Sequence, residues 1–136
     1  MEKQTKVIDA SVVIKWFLNE ADSDKAIFIR KCNSLGNMIL IVPDLIFTEI
    51  LNGMKYKKFD KEELNEINFT LWNIGFVIKR INKEILDKAI EISLKYNFTI
   101  YDSIYIALSE IHNCELITAD EELAKVPNVK LLNNIE

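Results

Sequence analysis

The sequence predicts an α/β fold, a three-layer α/β/α sandwich around a central, mostly parallel sheet. Two observations lead there. Short apolar runs of strand length alternate with longer segments of helical periodicity along all 136 residues. Strands and helices in alternation call for parallel strands joined by helical crossovers, with helices on both faces of the sheet. The composition, 49% hydrophobic and 28% charged, is that of a globular chain able to bury one sizeable core. With two prolines, three glycines and no repeat or linker-like tract, residues 1–136 read as one domain.

The elements come in this order. KVID at 6–9 reads as the first strand, SVVIKWFL as a helix, and 22–35 as another. MILIV at 38–42 is the second strand, stopped by Pro43, which has no ladder donor. A helix opens at Asp44 and runs to about Lys58. Its stripe of Phe47, Ile50, Leu51 and Met54 is joined by Leu45, Ile46 and Tyr56, so it is apolar nearly all round. Gly53, one turn beyond Glu49, is expected to leave that neighbourhood open. Next come a helix over 61–73, a strand within GFVIKRI at 75–81, and helices over 83–96 and 101–112. ELIT at 115–118 is a strand, DEELAK holds a short helix, and a last strand lies near VKLL. In TIYDSIYIAL, 99–108, Ile100, Tyr101, Ile104, Tyr105, Ile106, Ala107 and Leu108 read as core, with Asp102 among them. An unpaired carboxylate in such a run costs several kcal/mol. Asp102 therefore calls for a helix end, a protein cation or a metal.

Several chemistries are disfavoured. Cys32 and Cys114 form no CxxC pair and read as free, partly buried thiols. His112, the single histidine, sits at the end of a helix near no nucleophile, which fits a surface or capping role better than a triad. No apolar stretch approaches a membrane span, and MEKQTKVIDAS has no signal-like apolar region, so a cytoplasmic protein is expected. Seventeen basic residues face 21 acidic ones, a net charge of −4. Four acids clustered around cations would leave 17 against 17, so overall acidity does not exclude a polyanionic substrate.

In an open parallel sheet, ligands bind beyond the carboxyl ends of the strands, where strand order reverses. Acids just after strands matter most. Asp9 ends the first strand and Asp120 comes after ELIT; each taken alone reads as a helix N-cap, as does Asp44. Asp102 reads alone as the acid of a capping box opened by Thr99, and Glu49 as a glutamate either solvated or functional. Jointly, Asp9, Glu49, Asp102 and Asp120 can meet at one sheet edge. Two carboxylates about 4 Å apart repel by roughly 4 kcal/mol at an effective dielectric near 20, so four require a counter-charge. Lys15 is the one cation nearby in sequence, and no Cys/His ligand set accompanies the acids. An all-oxygen set suits Mg²⁺, or Mn²⁺, rather than zinc.

These residues resemble the PIN-domain ribonucleases, most closely their VapC-like toxin branch. The matching stretches are VIDASVVIKW with Asp9 and Ser11, PDLIFTEILNG with Glu49, IYDSIYIAL with Asp102, and LITADEEL with Thr118 and Asp120. They occur in the family's order and cover essentially the whole chain. The resemblance implies a three-layer α/β/α fold, Mg²⁺-dependent cleavage of RNA, and, in the toxin branch, a homodimer neutralised by a cognate antitoxin. It makes Asp9 the central metal ligand with Asp102 and Asp120 beside it. Glu49 becomes a ligand or a base acting through water, and Ser11 and Thr118 support the cluster. Ser109 stands where relatives often carry alanine.

Other readings fit less well. A haloacid-dehalogenase phosphatase needs a second Asp where Ser11 stands, and a phosphoreceiver domain needs a paired acid and a late lysine that are not evident. A non-catalytic RNA-binding or scaffold module on the same fold remains as the alternative, favoured by loss of cluster acids; all four are retained. Lys15, Lys55, Lys57, Lys58, Lys79 and Arg80 read mainly as a solvated face, with RNA-backbone tracking as the second reading. Phe47, Tyr56, Phe59, Phe69 and Trp72 read first as helix-packing core and second as a dimer or partner surface.

Overall fold

Val7 and Ile8 on the first strand are fully buried, and the sheet is built outward from them in both directions. The computed structural model describes residues 3–135, so the first two residues and the last of the expected 1–136 domain lie outside the described residues. The strands are β1 (Gln4–Ile8), β2 (Met38–Pro43), β3 (Val77–Lys79), β4 (Glu115–Thr118) and β5 (Val129–Leu131). They form a parallel sheet in the order β3-β2-β1-β4-β5. The helices are α1 (Ala10–Val13), α2 (Ser23–Ser34), α3 (Leu45–Tyr56), α4 (Lys61–Trp72), α5 (Lys83–Tyr96) and α6 (Ile100–Ile111). From β1 the chain steps to β2 and β3 on one side, then returns to β4 and β5 on the other. Right-handed crossovers in opposite directions put α1–α4 on one face and α5–α6 on the other. The switch of direction falls between β1 and β4, the place where such sheets bind ligands.

The expected elements are present, with local differences. The helix expected through Leu18 ends at Val13 and tightens into a 3₁₀ turn, Ile14–Trp16. Its consecutive β-branched residues Val12, Val13 and Ile14 are poor helix formers, and the Trp16 indole N–H donates to the Ala26 carbonyl at 2.7 Å. The strand expected over 75–81 pairs only at Val77–Lys79, as an edge strand against β2. The neighbour of Gly53 is Ile14, in the turn after α1. A Cβ there would meet the Ile14 side chain at 3.4 Å, so the glycine lets α3 lie close to the segment after α1.

The core reading of the aromatic stretch holds for Phe47, which is buried, but not for Tyr56, Phe69 and Trp72, which are 88%, 71% and 56% exposed. Trp72 lies flat on Phe47, with centroids 3.9 Å apart, and leaves its other face outward. Ile100 and Tyr101 are likewise exposed, because burial on α6 begins only at Ser103. His112 caps the end of α6, and both cysteines are free and partly buried. Among the described residues no helix is long and apolar enough to cross a membrane.

Ile117, fully buried on β4 between Ile8 of β1 and Lys130 of β5, holds the two strands that flank the switch point. Ile117→Ala is expected to cost about 2–5 kcal/mol through lost burial and the cavity left behind. Urea denaturation checks this; a loss below about 1 kcal/mol would mean that the site collapses around the gap.

Candidate active site

Asp9 occupies the cap position of α1 in extended backbone, yet its carboxylate makes no capping bond. Both oxygens are used across the sheet instead. Ser11 Oγ donates to Oδ1 at 2.5 Å, and Thr118 Oγ1, at the end of β4, donates to Oδ2 at 2.5 Å. Each hydroxyl also accepts a backbone N–H from the turn after β4: Ser11 from Ala119 at 3.0 Å, Thr118 from Asp120 at 3.1 Å. Asp9, Ser11 and Thr118 thus tie together the carboxyl ends of β1 and β4. Asp120, exposed at the rim, accepts the Glu122 N–H at 2.9 Å, an Asx-type turn in place of a full helix cap.

Asp102 answers the question its sequence raised. Thr99 caps α6, its hydroxyl accepting the Asp102 N–H at 3.0 Å, but the reciprocal half of a capping box is not formed. The carboxylate is only half-buried, and the Thr99 hydroxyl also favours its ionised form. Its charge is felt by both Asp9 and Glu49, and it feels that of Asp120 in turn. Asp102 is thus in electrostatic reach of the other three acids. Glu49, one turn into α3, accepts a short hydrogen bond from the Tyr105 hydroxyl.

Tyr105 is the residue that sequence reasoning missed. It is buried, as core was expected to be, but its polar end serves the acid site. The available signal was its position three residues after Asp102, on the same face of α6.

One expected role falls away, and the one cation near Asp9 in sequence is engaged elsewhere. Asp44 makes no side-chain cap; its carboxylate accepts the Ile81 N–H at 3.3 Å, fastening the segment after β3 to the start of α3. Lys15 does not neutralise the acids. Its ammonium is held by Glu20 at 3.1 Å and by the Ala21 carbonyl at 2.8 Å.

Burial pushes the Asp9 carboxyl up to about 6, outweighing the Ser11 and Thr118 bonds that favour ionisation, and Asp102 adds a smaller push. Burial likewise raises Glu49 against the Tyr105 bond, again with a contribution from Asp102. Asp102 is raised by partial burial first and by Asp120 second. Every resolved shift in the cluster marks negative charge held where it is disfavoured.

That donor set, carboxylates and hydroxyls without thiol or imidazole, fits a hard cation. Asp9 keeps lone pairs beyond the two that its hydroxyl partners use. The acids are nevertheless not drawn into a tight cluster. Among the described residues, no three Asp, Glu, His or Cys side chains stand close enough as placed to hold a metal ion.

A parallel α/β sandwich with carboxylates and hydroxyls at the carboxyl ends of the strands flanking its switch point is a fold that binds ligands at that edge. The chain belongs to the PIN domain family, which it matches over residues 6–129. It is 27% identical over 125 residues to Ribonuclease VapC3 of Pyrobaculum aerophilum, spanning 88% of this chain and 92% of that protein. It is also 27% identical over 122 residues to Ribonuclease VapC9 of Mycobacterium tuberculosis, spanning 87% of each. A chain from a toxin–antitoxin complex of Klebsiella pneumoniae superimposes with a TM-score of 0.73 at 19% identity, covering 96% of this chain and 99% of that one. Mycobacterium tuberculosis VapC20, described as a sarcin–ricin loop cleaving toxin, gives 0.71 at 8% identity, covering 91% and 96%. These superpositions establish the fold.

The raised Asp9 carboxyl carries a sign. Below about pH 4 the group is protonated both folded and unfolded, and its full contribution is present. As pH rises through 6 the folded protein must give up a proton it holds more tightly than the unfolded chain does, and stability falls. A shift from 3.8 to about 6 corresponds to about 3 kcal/mol. Metal-free protein is expected to lose that much between about pH 4 and 7, and Asp9→Asn to flatten the decline. Urea titrations in EDTA across this range decide; equal slopes in the two proteins would assign the decline to other groups.

Proposed function

We propose that this chain is a divalent-metal-dependent endoribonuclease, hydrolysing RNA phosphodiester bonds, and the toxin of a toxin–antitoxin pair. What supports the reading is Asp9 and Asp120 at the ends of the two strands flanking the switch point, with Asp102 in electrostatic reach of Asp9, Glu49 and Asp120, on a fold whose 27%-identical relatives are named ribonucleases. Mg²⁺ is the ion proposed, with Mn²⁺ a workable substitute. When bound, it supplies a water of lowered pKa and offsets charge building on the phosphate and leaving oxygens.

The chain's own residues do the rest. Asp9, immobilised by Ser11 and Thr118, presents its remaining lone pairs from the deepest point of the site. Asp102 and Asp120 complete the ligand set directly or through waters, Asp120 at the solvent rim. Glu49, with one oxygen held by Tyr105, orients the attacking water and accepts its proton. The exposed Lys55 near the end of α3, and Lys57 and Lys58 just beyond it, are offered as contacts for the RNA backbone. An antitoxin and a second copy of the chain are the proposed protein partners. The exposed Tyr56, Phe69 and Trp72 support this, as does the toxin–antitoxin complex among the structural relatives. The proposed place of action is the cytoplasm, where RNA is found.

Asp9→Asn keeps an acceptor for one hydroxyl and is expected to fold, while Mg²⁺-dependent cleavage of RNA falls by on the order of 100-fold. Gel-based cleavage with an EDTA control measures this, and full activity in the variant would remove Asp9 from the chemistry. Thermal denaturation tests Asp102. Mg²⁺ at a hundredfold excess over its dissociation constant should stabilise the parent by about 2.7 kcal/mol. Asp102→Asn should forfeit most of that gain, and its apo form should be no less stable, since one repelling charge is gone. Equal metal responses would leave Asp102 as a helix-end acid only.

A further inference from the structure

We infer that Tyr105 is a positioning residue for Glu49, setting which carboxylate oxygen faces the candidate metal and water site. The inference rests on the functional reading above. The phenol is 2% exposed and sits on α6, while Glu49 is on α3, so the bond joins the two helices that carry half of the acid cluster. Residues three apart on a helix share a face, so Tyr105 and Asp102 belong to one rigid unit. Fixing Glu49 to Tyr105 therefore fixes it relative to Asp102.

The two partners differ in freedom. Glutamate has three rotatable side-chain torsions, whereas a packed tyrosine ring has two and is locked by its neighbours. The ring is the fixed end of the bond and the carboxylate the end that is placed. Since Oε1 takes the hydroxyl, Oε2 is the oxygen left to orient a water at the candidate site. The hydroxyl is not there merely to satisfy a buried polar group. Many acceptors would do that, and it selects the one acidic side chain of α3.

The test uses Mn²⁺ alone, without RNA, titrated calorimetrically into the wild-type chain, Tyr105→Phe, Glu49→Gln and the double variant. Tyr105→Phe should weaken Mn²⁺ binding about 10-fold, the scale for loss of an outer-shell partner. It should have no further effect in the Glu49→Gln background. In cleavage assays at saturating metal, kcat should fall while the KM for RNA stays unchanged. A Tyr105→Phe chain that binds Mn²⁺ like the parent, or loses affinity equally with and without Glu49, would overturn the inference; a lowered melting temperature alone would not support it. If Tyr105→Phe fails to fold, the ring-carbon resonance of Tyr105 in labelled wild-type protein gives the answer. It should shift on adding Mg²⁺ and stay still in Glu49→Gln, and indifference to Mg²⁺ in the wild-type chain would overturn the proposal. Wild-type protein that binds no divalent ion at all would sink the nuclease reading, and this one with it.

Discussion

A carboxylate with almost no access to water, set where two neighbouring strands end, governs the rest of this structure. Asp9 cannot be buried there without donors. It finds them in two hydroxyls that belong to different strand ends, Ser11 after β1 and Thr118 on β4. Because both hydroxyls also accept N–H groups from the turn at 119–120, the needs of Asp9 dictate the path of the chain toward Asp120. The arrangement is one connected network, and its members gain from one another in a low-dielectric setting. A loss at any point would leave a buried polar group unmatched.

The network carries a standing electrostatic load. Burial raises Asp9 and Glu49, and Asp102 adds like charge to both. Such a cluster opposes folding at neutral pH, so its cost must be met elsewhere. Fully buried Ile8, Leu40, Ile106, Leu108, Leu116 and Ile117 lie in the sheet and on α6. Each such side chain contributes about 1.5–3 kcal/mol on burial. A dense apolar sheet beneath an acidic rim lets a marginally stable domain tolerate charges that lower its own stability.

The departures from expectation share a cause. Asp44 comes after a strand as Asp9 does, and both look like N-caps in sequence. Their carboxylates go elsewhere because nearer donors compete: the Ile81 N–H for Asp44, two hydroxyls for Asp9. Lys15, close to Asp9 in sequence, is taken by Glu20 and the Ala21 carbonyl. The aromatic residues of α3 and α4 divide between core and surface, because α4 packs against α3 along one side only and leaves Phe69 and most of Trp72 outward.

Ser11 and Thr118 entered only through the family resemblance, whereas the sequence by itself determined the order of strands and helices, the parallel sheet and the candidate acids. Those features are written in local periodicity and in the residue types at the end of each apolar run, and local pattern survives without knowledge of neighbours. Only the tertiary structure decided that Asp102 is half-open rather than buried and that Gly53 admits Ile14. It alone made Tyr105, a core residue by every local sign, the partner of Glu49 across 56 residues of chain. A hydroxyl at the end of a buried ring has no periodicity of its own. Its role is set by which acceptor the fold brings within reach of α6.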